Sequence, residues 1–421
     1  MKALGRWVCP LLTLLIWASA AGAQSGFYLK NGDRVVFYGD SITDQRLYTT
    51  FVETYVVTRF PQLNVGFVHS GWGGDRVGGG GGGKIDERLK RDVIAYRPTV
   101  VTVMLGMNDG SYRAFDQKVF ETYAAGYQHI VQALKTALPG LRFTLIQPSP
   151  YDDVTRPPTF EGGYNAVLVR YSQFVKELAQ KEGLQVADLN TSVVAALTKA
   201  NAADSALAQK IVPDRVHPGP GGHLLMAAAL LKAWNAPAVV TAVELDAASK
   251  RTVRAENTKV SWSAGDGGVY WSQVDGALPL PFEMNDAALA LAVRSSDLVE
   301  SLDQQPLKVT GLSAPRYLLK IDGEEVGTFT KEQLADGINL AVLPTPMLKQ
   351  AKEVHTLTLK HNNIHFARWR QVQVPLQTET SPQVQKAMEA LDALEADLVQ
   401  RQRAAAQPKS HRYELIPQTQ S

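Results

Sequence analysis

A single cysteine, Cys9, occurs in 421 residues, and it falls inside an apolar run near the N-terminus. That placement leaves the rest of the chain without disulfides, cysteine nucleophiles or thiolate-ligated metals. Stability must then rest on core size, and a composition of 45% hydrophobic residues is ordinary for a globular protein. Excess charge of one sign is also lacking. The 43 basic residues nearly balance the 41 acidic ones, which argues against a general polyanion binder. No later run of about eighteen apolar residues exists, so no stable membrane span is expected. No dinucleotide fingerprint follows the first strand, no phosphate-loop pattern is present, and no internal repeat is found. No nucleotide cofactor or nucleic acid partner is therefore expected, and the oligomeric state is left open.

The N-terminus reads as a leader. Lys2 and Arg6 precede the apolar stretch Val8 to Ile16, and Ala21-Gly22-Ala23 supplies small residues at a cleavage position. Residues 1–23 are expected to be a signal peptide, with an uncleaved anchor as the alternative. Cleavage removes Cys9 and balances the formal charge. The expected location is periplasmic or extracellular.

Residues 24–240 alternate strands and helices. Short apolar strands are predicted at Val35–Tyr38, Val65–Val68, Val100–Leu105, Phe143–Ile146 and Leu184–Ala187. Helix-length segments lie near 47–60, 84–96, 117–138, 165–182 and 221–234. Val- and Leu-rich strands separated by helices predict a parallel sheet covered on both faces, an α/β fold. Ligands of such sheets bind beyond the carboxyl ends of the strands. Polar clusters follow four of them: Gly39 to Ser41, His69 to Gly74, Gly106 to Asp109 and Pro148 to Asp152.

Residues 241–375 read as a β-rich accessory region. Gly265 to Gly268 separates Lys259–Trp262 from Val269–Trp271, and Asp322-Gly323 joins Tyr317–Ile321 to Val326–Phe329 as a hairpin. Val354–Leu359 is predicted as another alternating strand. Residues 376–421 are expected to be a C-terminal helix, introduced by Ser381-Pro382, and a loose tail from Ala404. The six glycines Gly78 to Gly83 are expected to form a mobile loop, with an anion-holding nest as the alternative.

Four stations carry candidate chemistry. Ser41, just past the first strand, suits either a helix cap or a nucleophile. Asp214-Arg215-Val216-His217 offers an imidazole to take the serine proton and a carboxylate to fix its tautomer. His223 is an alternative base, although its helical position suits a structural role. Gly71 can bring a backbone N–H close to a ligand, Asn108 offers an amide donor, and the Ser41 N–H is a third. Asn108 could instead hold its own loop.

Together these blocks resemble the SGNH hydrolases, the GDSL-type esterases and lipases. Gly39-Asp40-Ser41-Ile42 is similar to the nucleophile block, Gly71 in His69 to Asp75 to the second, Gly106 to Asp109 to the third, and Asp214 to His217 to the last. The resemblance covers about residues 30–235. It implies a three-layer α/β/α sandwich, flavodoxin-like in its parallel sheet. It also implies metal-free hydrolysis of carboxylic esters, with Ser41, Asp214 and His217 as triad and Ser41, Gly71 and Asn108 as oxyanion hole. His69 stands where Asn is common, and Ile42 where Leu is. Exported members of the family often deacetylate polysaccharides, so the expected substrate is a short acyl ester, often acetyl, on a carbohydrate. The alternatives are a broad-specificity esterase or lipase acting on small esters and a non-catalytic glycan-binding protein. Trp72, Tyr112, Tyr151 and Phe160 are aromatic candidates near the active edge. Arg76, Arg113 and Arg156 could meet acidic sugars or merely solubilise the surface.

Overall fold

The computed structural model describes residues 26–379 and 381–418; the expected leader, with Cys9, lies outside them. The first half runs β1 (Arg34–Gly39), α1 (Ser41–Asp44), α2 (Leu47–Arg59), β2 (Gly66–Gly71), β3 (Gly79–Gly80), β4 (Gly83–Lys84), α3 (Ile85–Asp92), β5 (Val100–Met104), α4 (Gln117–Ala137), β6 (Arg142–Ile146), α5 (Gly163–Glu182), β7 (Gln185–Ala187), α6 (Leu189–Ala203), α7 (Ser205–Ala208) and α8 (Pro220–Ala233). The second runs β8 (Ala242–Asp246), β9 (Arg251–Glu256), β10 (Thr258–Trp262), β11 (Val269–Asp275), α9 (Ala287–Arg294), α10 (Leu298–Leu302), β12 (Pro306–Thr310), β13 (Arg316–Ile321), β14 (Glu324–Thr330), α11 (Lys331–Asp336), β15 (Ile338–Asn339), α12 (Pro346–Phe366), α13 (Pro382–Ala405) and β16 (Ser410–Pro417).

The first half is an α/β fold around one parallel sheet of order β2-β1-β5-β6-β7. Its strands are continuous apolar runs because helices cover both faces; every residue of β5 is buried. The chain leaves β1 toward one edge and then steps back through β5, β6 and β7. Right-handed crossovers therefore put α2 on one face and α3 to α5 on the other. Helix α4 shows the local logic. Asp116 accepts from the N–H groups of Lys118 and Val119, and Tyr123, Tyr127, Ile130 and Leu134 form the buried stripe. The register sets Gly39 opposite both Gly71 and Met104, so the carboxyl ends of three strands meet at one edge.

The second half holds two further sheets, β10-β11-β16-β13-β14 and β15-β12-β8-β9. A separate core containing Leu245, Trp271, Leu307, Leu319, Tyr413 and Leu415 draws on both. The predicted Asp322-Gly323 hairpin is present, and the two runs flanking Gly265 to Gly268 also pair antiparallel. Three sequence expectations differ from the structure. Val354–Leu359 is helical, inside α12, because Ala351, Val354, Leu357 and Thr358 form a buried stripe and Thr345 caps the helix through the Leu348 N–H. Residues 404–418 of the tail are not loose. His411, Tyr413 and Leu415 alternate inward, and β16 is the central strand of its sheet. Gly79–Lys84 is a short hairpin rather than an open loop. A Cβ on Gly82 would lie 2.6 Å from the Trp72 ring and 2.7 Å from the Arg88 side chain, so glycine serves close packing there.

Helix α12 packs against α13, α2 and the edge strand β2. At that junction Glu53 is buried and accepts from His361 Nε2 at 2.5 Å, Gln402 Nε2 at 2.9 Å and His69 Nε2 at 3.2 Å. The C-terminal helices are thereby fixed to the α/β unit.

Candidate active site

Ser41 stands at the first position of α1, directly after β1. Asp40 caps that turn by accepting the Ile42 N–H at 3.1 Å. Burial pushes the Asp40 carboxyl up to about 7. The turn is tight. A Cβ on Gly39 would lie 2.3 Å from Thr43 Oγ1 and 2.7 Å from the Met104 carbonyl, which accounts for glycine before the Asp-Ser pair.

The last station reaches back to this point. Ser41 Oγ lies 2.8 Å from His217 Nε2, and His217 Nδ1 lies 2.7 Å from Asp214 Oδ2. The second carboxylate oxygen accepts the N–H groups of Val216 at 2.9 Å and His217 at 2.7 Å. Burial raises the Asp214 pKa in part, but these bonds outweigh it and hold the carboxyl below its usual range. An ionised Asp214 can only accept, so it assigns the proton to Nδ1 and leaves the Nε2 lone pair facing the serine hydroxyl. The loop is held in a costly shape, with Arg215 at φ 72°. Arg215 Nη1 donates to the carbonyls of Asp152 at 3.2 Å and Pro157 at 3.0 Å. Arg156 donates to the carbonyls of Val212 and Pro213. Arg156 thus braces the Asp214 loop, a role that its sequence position did not suggest.

His223 has no comparable access. Its Nε2 is 2.6 Å from Gln45 Oε1, its Nδ1 accepts the Tyr48 N–H at 3.3 Å, and burial pushes its pKa down to about 3. It is a neutral structural histidine.

The two middle stations behave differently from each other. Asn108 is buried at the end of the third strand's loop. Its Nδ2 donates to the Asp75 carbonyl at 3.0 Å and its Oδ1 accepts from Tyr112 at 2.9 Å. Both contacts fix the amide orientation and leave one N–H over. Ser111 and Tyr112, at φ 55° and 56°, shape that loop. Gly71 answers another demand. A Cβ there would sit 2.1 Å from the Asp44 nitrogen and 2.3 Å from the Thr43 carbonyl carbon, so its α-carbon is pressed against the turn carrying Ser41. Trp72, not Gly71, donates to the Gly39 carbonyl. In a parallel ladder alternate N–H groups face the same neighbour, so the Gly71 N–H points to the outer side of the edge strand. Gly73 and Gly74 are both exposed, but the Gly73 N–H donates to Asp44 Oδ2 at 3.1 Å, whereas Gly74 stands at φ 77° with open space around its α-carbon. The sequence reading passed over it, because the contact that marks its neighbourhood, Asn108 Nδ2 donating to the Asp75 carbonyl, spans 33 residues and has no local signal.

A cleft of about 390 Å³ opens at Ser41 and is lined also by Asp44, Gln45, Arg46, Asp214, His217 and Phe366. Of the aromatic candidates, Trp72 and Tyr151 are buried, Phe160 is half-buried, and Tyr112 is exposed with its ring 5.1 Å from Tyr164. Arg113 is an exposed partner of Asp116. Among the described residues no cluster of three or more His, Cys, Asp or Glu side chains suits a metal ion.

Residues 37–225 match the model of the GDSL-like lipase/acylhydrolase family. The chain is 26% identical over 224 residues to an acetylxylan esterase of Geobacillus stearothermophilus, covering 48% of this chain and 94% of that one. It also resembles, with a TM-score of 0.83 and 26% identity, the structure of a gut microbial diltiazem-metabolizing enzyme, covering 94% of this chain and 100% of the other. The second likeness extends through the accessory sheets and terminal helices, so the whole architecture recurs in an enzyme. On the family match and the strand-end arrangement of its stations, residues 37–225 form a hydrolase region of the GDSL-like, or SGNH, type.

Proposed function

We propose that this protein is a serine esterase that works through an acyl-enzyme on Ser41 and removes short acyl groups, acetyl above all, from carbohydrates. The observation that carries the reading is the unbroken chain from Ser41 Oγ through His217 to Asp214, at 2.8 and 2.7 Å. Ser41 attacks the ester carbonyl while its proton passes to His217 Nε2, and Asp214 holds the imidazolium. The carbonyl oxygen gathers negative charge and is met by the Ser41 N–H, unbonded at the first helical position, the spare Asn108 N–H and a glycine N–H, Gly74 rather than Gly71. The C–O bond to the alcohol breaks, and His217 returns the proton to the leaving oxygen. Water, deprotonated by His217, then attacks the acyl-enzyme and releases the acid, and Ser41 recovers its proton.

The carbohydrate part draws on the acetylxylan esterase likeness and on the open, polar-rimmed cleft. A broader small-ester specificity is the second reading, favoured by the likeness to the diltiazem-metabolizing enzyme over nearly the whole chain. Export to the periplasm or beyond is proposed from the leader alone. The test is acetate release from acetylated xylan by wild type and Ser41→Ala, alongside aryl esters of increasing acyl length. The reading requires release by wild type and a loss above about a hundredfold in the folded variant. Preference for long acyl chains, or full activity in Ser41→Ala, would refute it.

A further inference from the structure

The family match ends at residue 225, yet a residue far beyond it enters the cleft. Phe366, the last residue of α12, lines the same space as Ser41 and His217. Its placement is fixed from both sides. Asn363, Phe366 and Arg370 recur at helical spacing and so share one face. Asn363 Oδ1 accepts from Arg46 Nη2 at 3.4 Å, and Arg370 lies 3.9 Å from Asp44 with its guanidinium over the Trp72 ring. Arg46 itself sits at φ 60°, and its guanidinium carbon is 4.2 Å from the Phe366 ring centre. Directly after Phe366 the helix widens to a π-turn over Ala367–Gln373, an irregularity found often at functional sites.

The chemistry says which part of a substrate lies here. The leaving oxygen receives its proton from His217, so the alcohol must occupy the imidazole side of Ser41. That side is the cleft bounded by His217 and Phe366; Asn108, which faces the oxyanion, is not among its lining residues. Phe366 is the one Phe, Tyr or Trp among the described residues lining it, and Asp44, Gln45 and Arg46 surround it with hydrogen-bonding groups. With Arg46 over one face of the ring, the apolar surface of Phe366 that remains toward the cleft, rimmed by polar side chains, fits a saturated ring whose C–H groups pack against it while its hydroxyls reach outward.

We propose that Phe366 is a specificity-determining residue that holds the ring-shaped alcohol of the ester, so that the C-terminal helices form part of the substrate site. The sugar as that ring rests on the function proposed above; the ring preference itself does not. The test compares acetylated methyl xyloside and cyclohexyl acetate with ethyl acetate, which has no ring, in wild type, Phe366→Ala, Phe366→Leu and Phe366→Tyr. Phe366→Leu keeps most of the apolar volume should the alanine variant fold poorly. Both ring esters should show KM raised about tenfold in Phe366→Ala and Phe366→Leu with kcat nearly unchanged, while ethyl acetate stays within about twofold and Phe366→Tyr restores KM. Equal losses on ring and open-chain esters, or no change on any, would overturn the proposal. Turnover of cyclohexyl acetate without the xyloside would instead refute the carbohydrate reading, and the ring preference would still be decided on the cyclohexyl ester.

Discussion

Replacing Asp214 with asparagine should convert the base into a donor. In the native loop one carboxylate oxygen accepts two backbone N–H groups at 2.7 and 2.9 Å, and the other accepts from His217 Nδ1 at 2.7 Å. Asparagine has a single oxygen. The backbone donors are fixed by the loop and will claim it, so the amide NH₂ must face Nδ1. Two donors cannot bond, so the imidazole will carry its proton on Nε2 instead, aimed at Ser41 Oγ. With a buried carboxylate this tautomer error costs about 10⁴-fold in kcat. Asp214 is 56% exposed, and water can compete for Nδ1, so the expected loss is smaller. We expect about 10³-fold in kcat, or about 4 kcal/mol of barrier, with KM little changed. Initial rates on 4-nitrophenyl acetate, with thermal unfolding to confirm an intact fold, measure it. A variant that keeps more than about a tenth of wild-type kcat would refute the tautomer argument.

Three other perturbations separate the roles of neighbouring groups. Asn108→Ala should lower kcat about a hundredfold with little change in KM, whereas Tyr112→Phe, which removes only the bond orienting the amide, should cost less than tenfold; steady-state kinetics on a small acetate ester decide it. Gly71→Ala forces a Cβ into the backbone of Thr43 and Asp44 and should destabilise by about 2 kcal/mol while displacing Ser41. Gly74→Ala meets open space and only the φ 77° penalty, about 1 kcal/mol, so the two melting temperatures should differ in that order. At the helix junction, burial lowers the His361 pKa in part, but Glu53 and Glu395 outweigh it and push it up to about 9. A raised histidine contributes fully below its unfolded value near ~6.5 and loses that contribution as pH rises through about 9. Wild type should therefore lose about 3 kcal/mol of unfolding free energy between neutral pH and about pH 10, a slope that His361→Gln lacks; equal slopes in chemical denaturation would refute it.

The placement of the candidate stations at the strand ends was legible because strand ends in a parallel sheet are local features. The run Val35 to Tyr38 identifies its own strand, and Gly39, Asp40 and Ser41 must follow at its carboxyl end wherever the sheet lies. The choice between Gly71 and Gly74 was not legible. It depends on which α-carbon is pressed against the Thr43–Asp44 backbone, a contact across twenty-odd residues that no local pattern encodes. Val354–Leu359 was misread because its threonines and leucines alternate, and two-residue and helical periods overlap over so few positions. His411 to Leu415 alternates as well, but it follows a long helix within a polar tail, and only the gap between β11 and β13 explains its order.

The same reasoning explains why the accessory region cannot be a loosely tethered appendage. A buried carboxylate is tolerated only where charge and hydrogen bonds surround it. Glu53, on a helix of the α/β unit, draws those partners from His361 on α12 and Gln402 on α13 as well as from nearby His69. Removing the C-terminal helices would leave Glu53 ionised in an apolar junction, or force it to take up a proton. The fold of the hydrolase unit is thus energetically tied to residues outside its family pattern. The tie holds α12 in register, and that register carries Phe366 to the cleft. The sequence separation that hid Phe366 from a linear reading is bridged by a charged contact at His361, earlier on the same helix.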